Sequence, residues 1–153
     1  MKFRSRIVAT LGAVLFLSAC SATSQIEHFR PENAAEDQKL LFSPMIRHGE
    51  TLYLSGMIGL KPGTTELPDS VEEQTRNVFA AIEKTLKLAD ADLSHLISCT
   101  VYLADMNNYT QMNEVYGSFF GSKPPTRTTV EVAALPLGAQ IEISCLGYLN
   151  RNT

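Results

Sequence analysis

The sequence predicts an α+β domain in which two helices cover one face of a sheet with roughly four to six strands. Three observations predict it: two stretches with helical periodicity, strand-like apolar runs around them, and turn residues at the boundaries. The predicted order is hairpin, helix, strand, helix and long hairpin. Two helices can bury only one face of such a sheet, so we expect an oligomer to bury the other.

The first half of the predicted domain, which runs from residue 40 to 150, contains a hairpin and a helix. Strand-like runs at 42–48 and 51–60 flank a turn, and Lys61-Pro62-Gly63 then interrupts the ladder. Ser70 with Glu73 is a capping-box pattern that predicts a helix over 70–89. Its apolar face comprises Val71, Thr75, Val78, Ile82 and Leu86.

The second half contains a strand over 96–103, a second helix and a final strand pair over 124–148. We expect Asn107 or Asn108 to cap this helix and Gly121 to end it. Its stripe is interpreted as core and comprises Tyr109, Met112, Val115, Tyr116 and Phe119. Alternation along the final pair puts Arg127, Thr129 and Glu131 on one face, and the returning strand carries Glu142.

The N-terminus is predicted to be a lipoprotein signal peptide over residues 1–19. Three basic residues precede an apolar run, 7–17, that is too short to span a bilayer stably. Leu17-Ser18-Ala19-Cys20 resembles the bacterial lipoprotein box, in which cleavage precedes a cysteine that is then lipidated. We therefore expect a lipidated Cys20 and a polar tether over 20–39, with a possible short strand at 26–29. The alternative is an ordinary secretory signal followed by an unrelated cysteine.

Cleavage would make the chain more acidic and would place it in the bacterial cell envelope. The formal net charge changes from −3 to −6, because three basic residues are lost. An acidic chain without an arginine cluster argues against a nucleic-acid partner and against electrostatic docking on anionic lipid. Membrane attachment would therefore depend on the lipid itself. Ser21 and Ala22 after the cysteine favour the outer membrane, facing the periplasm.

Two further cysteines, Cys99 and Cys145, lie in strand-like runs. An extracytoplasmic location permits a disulfide, whereas the simpler interpretation is two small buried thiols, and the sequence leaves both open. The histidines, His28, His48 and His95, show no nucleophile–base arrangement. No cysteine or histidine spacing is typical of a metal site, so we expect no metal.

Several segments occur in an order and spacing that characterise one known family. They are Ser55-Gly56, residues 100–103, Asp105-Met106, residues 112–116 with Phe119-Phe120, Pro125-Thr126-Arg127, residues 130–136 and Ile141-Glu142-Ile143. Together they resemble the Rid (YjgF) family of enamine/imine deaminases. The resemblance implies a chorismate-mutase-like α+β fold with a mixed sheet. It also implies a homotrimer whose sheets line a central barrel, with active sites in the clefts between subunits.

The resemblance further implies hydrolysis of 2-imino acids, tautomers of enamines, to 2-keto acids and ammonia, without a metal or organic cofactor. Arg127 matches the arginine that binds the substrate carboxylate, for which a planar guanidinium offers two parallel donors. Glu142 matches the glutamate that holds the attacking water or the imine nitrogen. The substrate-binding positions implied are Phe42, Ser55, Gly56, Asn113 and Thr129.

Alternatives to this interpretation stay open. Arg127 could instead pair with Glu131 on the same strand face, and Glu142 could be a solvated carboxylate. A non-catalytic trimer that binds small carboxylates or an envelope protein would use the same cleft. Met57 and Met45-Ile46 depart from the usual family residues, and we expect them to reshape the pocket mouth.

Overall fold

The computed structural model describes residues 25–31, 39 and 41–149. Its α+β architecture confirms the predicted fold class: helices α1 (Val71–Lys87) and α2 (Tyr109–Phe120) accompany one mixed sheet. The described strands are β1 (Ile26–Phe29), β2 (Met45–His48), β3 (Thr51–Leu54), β4 (Met57–Ile58), β5 (Leu96–Leu103), β6 (Thr126–Glu131) and β7 (Ile141–Tyr148). The predicted signal peptide, Cys20 and most of the tether lie outside the described residues. Within the described ranges, neither helix has the length and apolar character needed to cross a membrane.

The predicted long hairpin at the end of the chain is wrong, because β5 lies between β6 and β7. The strand order is β1-β2-β3-β7-β5-β6, and β4 also pairs with β7. The β5–β6 pair is parallel, so the chain must cross over between them, and α2 supplies this crossover. The segment after β6 then passes the end of β5, where Val132 N donates to Leu103 O at 2.9 Å and Ala104 N donates to Gln140 O at 3.0 Å.

The first hairpin is present, but its second strand is split. β3 and β4 both pair with β7, and Ser55-Gly56 separates them. The short strand expected within the tether is also present, since β1 pairs with β2 and brings Phe29 opposite Met45. Both of these side chains are buried in the core.

Helix α1 begins as predicted, whereas α2 begins differently. The Ser70 hydroxyl accepts a hydrogen bond from Glu73 N at 3.2 Å. Asn108 occupies the cap position of α2, but its side chain makes no capping bond. A short 3₁₀ turn precedes α2, and Asp105 caps that turn by accepting from Asn107 N at 2.8 Å.

Aromatic packing holds the two helices together on the covered face of the sheet. The Phe79 ring stacks on Phe119 at a centroid distance of 4.4 Å and meets Tyr116 edge-on at 5.2 Å. The predicted stripe is core from Met112 onwards. Tyr109 is the exception, with 39% of its surface exposed, because it lies at the first position of α2 beyond the sheet's cover.

The buried side chain of Gln74 fixes α1 to the segment before β7. Its Nε2 donates to Pro68 O at 2.7 Å and its Oε1 accepts from Gln140 N at 2.9 Å. Gly59 lies directly against this turn of the helix, because a Cβ built there would be 2.2 Å from Gln74 O. Both amide atoms are thus satisfied, as a buried polar group requires.

A disulfide joins Cys99 of β5 to Cys145 of β7. The two residues are register partners, and both are buried in the core with at most 4% of their surface exposed. The structure therefore decides between the two interpretations that the sequence left open, in favour of a disulfide.

Removing this disulfide should lower the free energy of unfolding by about 2–4 kcal/mol, because the crosslink restricts the unfolded chain. The measurement is urea unfolding of the wild type and of the Cys99→Ala/Cys145→Ala double variant, each with and without reductant. Reductant should destabilise the wild type and leave the double variant unchanged. Equal midpoints for oxidised and reduced wild type would show that the bond contributes nothing.

Candidate active site

The pairing of β5 with its two neighbours determines the face on which each predicted catalytic residue lies. Cys99 is the register partner of Arg127 on β6 and belongs to the core beneath the helices. Tyr102 is the register partner of Glu142 on β7. Because Cys99 and Tyr102 are three positions apart on one strand, they point to opposite faces. Arg127 therefore lies on the helix-covered face and Glu142 on the open face of the same sheet.

Glu142 lines a cavity of about 420 Å³ on the open face. The lining residues are Phe42, Ser55, Gly56, Ile58, Pro136 and Glu142. Ile58 is the register partner of Glu142, which places both side chains on the same face. Glu142 is the one charged residue among these lining side chains, so its carboxylate faces mainly apolar surroundings.

The backbone around this cavity is held in place by Ser55. Its hydroxyl donates to Ser43 O at 2.7 Å, and its backbone N donates to Pro44 O at 3.0 Å. The adjacent Gly56 leaves room for the glutamate, because a Cβ at this position would lie 1.8 Å from Glu142 Oε1. The absence of a side chain at Gly56 thus determines where the carboxylate sits.

The Arg127 guanidinium packs against the start of α2. Nη2 donates to the Tyr109 hydroxyl at 3.2 Å, and Nη1 lies 3.9 Å from Met112 Sδ. The Cζ atom is 4.6 Å from the centre of the Tyr116 ring and 5.7 Å from that of Tyr109. Two aromatic rings thus support the cation within cation–π distance.

The alternative in which Arg127 pairs with Glu131 is not what the structure contains. The Glu131 carboxylate accepts a hydrogen bond from Met106 N at 2.7 Å. Within the described part of the chain, Arg127 takes part in no ion pair. Its charge is consequently available to an anionic ligand.

Buried polar atoms without a partner among the described residues lie on α2, which the guanidinium contacts, and on β6, which carries Arg127. Asn113 Oδ1, the Tyr116 hydroxyl and Thr129 Oγ1 are buried and make no hydrogen bond within the described residues. Burial raises the pKa of Tyr116, partly opposed by the charge of Arg127, so this phenol stays neutral. Buried polar groups normally have partners, so this cluster is suited to a polar ligand.

The structure thus collects the predicted site residues into two groups. Phe42, Ser55, Gly56 and Glu142 share the cavity on the open face. Asn113, Arg127 and Thr129 lie together on the other face, beside α2. One chain does not bring the two groups into contact, because the sheet lies between them.

Met57 is not at the pocket mouth, contrary to expectation. It pairs with Ile143, whose side chain is in the core, and the Thr85 hydroxyl of α1 lies 3.9 Å from its Sδ. Met57 is partly buried against the core, and Met45 is fully buried. Both methionines fill the core, because strand alternation turns them away from Glu142.

Sequence reasoning missed the contribution of Tyr109, which it assigned to the core. A signal was present, because Tyr109 and Asn113 are four residues apart and therefore share one face of a helix. Arg127 reaches this face of α2 only because β6 pairs with β5, which the sequence did not reveal. Within the described residues, no group of three or more His, Cys, Asp or Glu side chains is arranged to hold a metal ion.

Comparison with known proteins agrees with this fold. A family model described as Endoribonuclease L-PSP matches residues 33–149. The chloroplastic reactive intermediate deaminase A of Arabidopsis thaliana is 39% identical over 109 residues, which is 71% of this chain and 58% of that protein, less than two thirds of its length. The 2-iminobutanoate/2-iminopropanoate deaminase of Mus musculus is 35% identical over 106 residues, or 69% of this chain and 78% of that protein. The crystal structure of YyfA from Yersinia pestis, described as a protein of unknown function of the conserved Rid family, superposes with a TM-score of 0.74 at 31% identity. That match covers 82% of this chain and 100% of the other.

Replacing Gly56 by alanine should displace the Glu142 carboxylate, because the new Cβ would overlap Oε1. Crystal structures of Gly56→Ala and of wild type provide the measurement. Gly117→Ala is the matched control, since a Cβ at Gly117 meets nothing within 4 Å. A Glu142 side chain in the same position in both variants would contradict the steric argument.

Proposed function

We infer that this chain, which belongs to the endoribonuclease L-PSP (Rid) family, is an enzyme that hydrolyses reactive 2-imino acids and their enamine tautomers. The products are 2-keto acids and ammonia. One observation carries the proposal: a guanidinium that forms no ion pair among the described residues and a carboxylate in a largely apolar cavity are the two kinds of group that this chemistry needs.

Arg127 would bind the carboxylate of the imino acid. Its planar guanidinium offers two parallel N–H donors, which hold a carboxylate in one orientation. The rings of Tyr109 and Tyr116 restrict the guanidinium from behind. Fixing the carboxylate also fixes the adjacent C=N carbon, so that water can approach from one side.

Glu142 would handle the protons of the reaction. Its carboxylate accepts a proton from water as the water oxygen bonds to the C=N carbon, and it returns that proton to the nitrogen, giving a tetrahedral carbinolamine. The carboxylate then accepts the proton of the carbinolamine hydroxyl and passes it to the amine nitrogen. The C=O bond forms as the C–N bond breaks, so ammonia leaves and the carboxylate is restored to its starting state.

The two groups would meet between subunits. β6 is an edge strand of the sheet, so a neighbouring subunit can approach Arg127 without crossing the sheet. The open face carries exposed apolar side chains, among them Tyr53, Val130 and Leu146, and these need cover. A homotrimer in which each cleft combines Arg127 of one chain with Glu142 of the next satisfies both requirements.

A non-catalytic carboxylate-binding trimer is the competing function. Binding alone requires the Arg127 cluster, whereas Gly56 also keeps a position clear for the Glu142 carboxylate. This second feature favours catalysis, and a variant at Glu142 separates the two functions.

Arg127→Ala should lower kcat/KM about 100-fold, and Glu142→Gln should lower kcat by about 10²–10⁴-fold because the proton acceptor is lost. An amino-acid oxidase generates the imino acid, semicarbazide traps what remains, and a faster hydrolysis appears as less semicarbazone. If wild type and both variants give equal traces for several amino acids, the chain is not a deaminase of those substrates.

Mixed trimers provide the control for the position of the site. Arg127→Ala and Glu142→Gln chains carrying different tags are co-expressed and purified on both tags. Every mixed trimer then contains one cleft with both groups intact, so about a third of the wild-type activity should return. If the mixed trimers recovered no activity, both groups of a site would have to belong to the same subunit.

We also propose that the chain acts in the bacterial cell envelope. A lipidated Cys20 would anchor it in the outer membrane, and the domain would face the periplasm. The box at residues 17–20 supports lipidation, and the Cys99–Cys145 disulfide supports an oxidising compartment. An acidic surface contributes little to membrane binding, so the acyl chains would provide the attachment.

An alkyne-labelled fatty acid should label the wild-type chain in bacterial cells and should not label Cys20→Ala, because the acceptor thiol is absent. Ser21→Ala is the matched control and should be labelled like wild type. Labelling is read by click chemistry after gel separation, together with membrane fractionation. Equal labelling of Cys20→Ala would exclude lipidation at this position.

A further inference from the structure

The mechanism above uses the ring of Tyr109 to restrict the guanidinium and gives no role to its hydroxyl. Tyr109 is the first residue of α2, it is partly exposed, and its hydroxyl receives the hydrogen bond from Arg127 Nη2 at 3.2 Å. Asn113, one turn further along, lies near enough to lower the pKa of this phenol.

The hydrogen-bonding capacity of a phenol decides what this arrangement can do. A tyrosine hydroxyl has two acceptor lone pairs and one proton. Arg127 takes one lone pair, so the O–H proton remains for another group. Within the described part of the chain, no residue accepts this proton. The hydroxyl is therefore a donor held beside the guanidinium.

The neighbouring tyrosine is less accessible to a ligand. The Tyr116 hydroxyl is buried and has no hydrogen-bond partner among the described residues, and its ring centre lies 4.6 Å from the Arg127 Cζ atom. Tyr109 reaches the surface, whereas Tyr116 is 4% exposed. Of the two rings beside Arg127, Tyr109 is therefore the one that an incoming ligand can reach.

We propose that Tyr109 is a substrate-binding residue that donates a hydrogen bond to the carboxylate held by Arg127. This inference rests on the proposed function, because it assumes a 2-imino or 2-keto acid as ligand. A carboxylate has about four lone-pair sites, and a guanidinium fork occupies two of them. The Tyr109 proton satisfies a third and fixes the rotation of the carboxylate about the axis of the fork.

The same contacts make carboxylate binding sensitive to alkaline pH. The hydrogen bond from Asn113 and the charge and hydrogen bond of Arg127 lower the pKa of Tyr109 from its ordinary value of 10.0. Deprotonation removes the donor and places a negative charge beside Arg127. Carboxylate affinity is then present below the Tyr109 pKa and is lost as the pH rises through it.

Other charged or titratable groups on the neighbouring elements do not compete for this effect. The carboxylate of Glu131 on β6 accepts from Met106 N, and that of Asp105 ahead of α2 accepts from Asn107 N. Tyr116 on α2 has a raised pKa because it is buried. Arg127 is the one charge that acts on the Tyr109 phenol.

Calorimetric titration of the purified full-length chain with 2-oxobutanoate tests the proposal without requiring turnover. Tyr109→Phe should weaken the affinity about tenfold at neutral pH, and this variant should lack the alkaline loss of affinity. In an Arg127→Ala background the Tyr109→Phe change should have no further effect, because both residues act on one carboxylate. Tyr53→Phe, which removes a hydroxyl from the opposite sheet face, is the matched control and should bind like wild type.

The neutral amide 2-oxobutanamide distinguishes a lost contact with the carboxylate from a general distortion of the site. Tyr109→Phe should leave the affinity for the amide unchanged, since the amide has no carboxylate. An equal loss for amide and acid, or wild-type affinity and an unchanged pH profile in Tyr109→Phe, would overturn the proposal. So would a wild-type chain that binds no 2-oxobutanoate.

The two proposals can fail independently. Binding that depends on Tyr109, in a chain without deaminase activity, would remove the proposed function and leave this inference standing. Deaminase activity with normal 2-oxobutanoate binding in Tyr109→Phe would remove the inference alone.

Discussion

The site depends on the alternation of side chains along β5. This strand pairs with β6 on one side and β7 on the other, so each of its residues determines the face of a residue on a neighbour. Cys99 places Arg127 on the helix-covered face, and Tyr102 places Glu142 on the open face. A shift of one residue in either pairing would move a charged group to the other face. The Cys99–Cys145 disulfide joins β5 to β7 in this register.

Separation by the sheet keeps the two charges from neutralising each other. On a common face, Arg127 and Glu142 could form an ion pair, and a substrate carboxylate would have to displace it. Instead, the guanidinium faces two tyrosine rings and the carboxylate faces a largely apolar cavity. Each group remains available within one chain. Under the proposed mechanism, the two work together only after subunits assemble, so assembly becomes a condition of activity.

Local signals predicted most of the fold. The Ser70 cap, the period of α1 and the apolar runs of the strands depend on neighbouring residues in the chain, and the structure confirms them. Predictions that depended on partners far along the chain were less successful. The final strands were predicted to form a hairpin, but β5 lies between them. Met57 was expected at the pocket mouth, but strand alternation turns its side chain to the other face.

From periodicity, the sequence by itself predicted the α+β class and a second sheet face that needs cover. Its motifs marked Arg127 and Glu142 as candidates through their resemblance to a known family. Periodicity and motifs are local properties of the chain. Only the tertiary structure decided that the two residues lie on opposite faces, that the two cysteines are bonded, and that Tyr109 lies beside the guanidinium. Each of these depends on which strands pair and in what register, and such pairing is set by contacts between segments far apart in the chain.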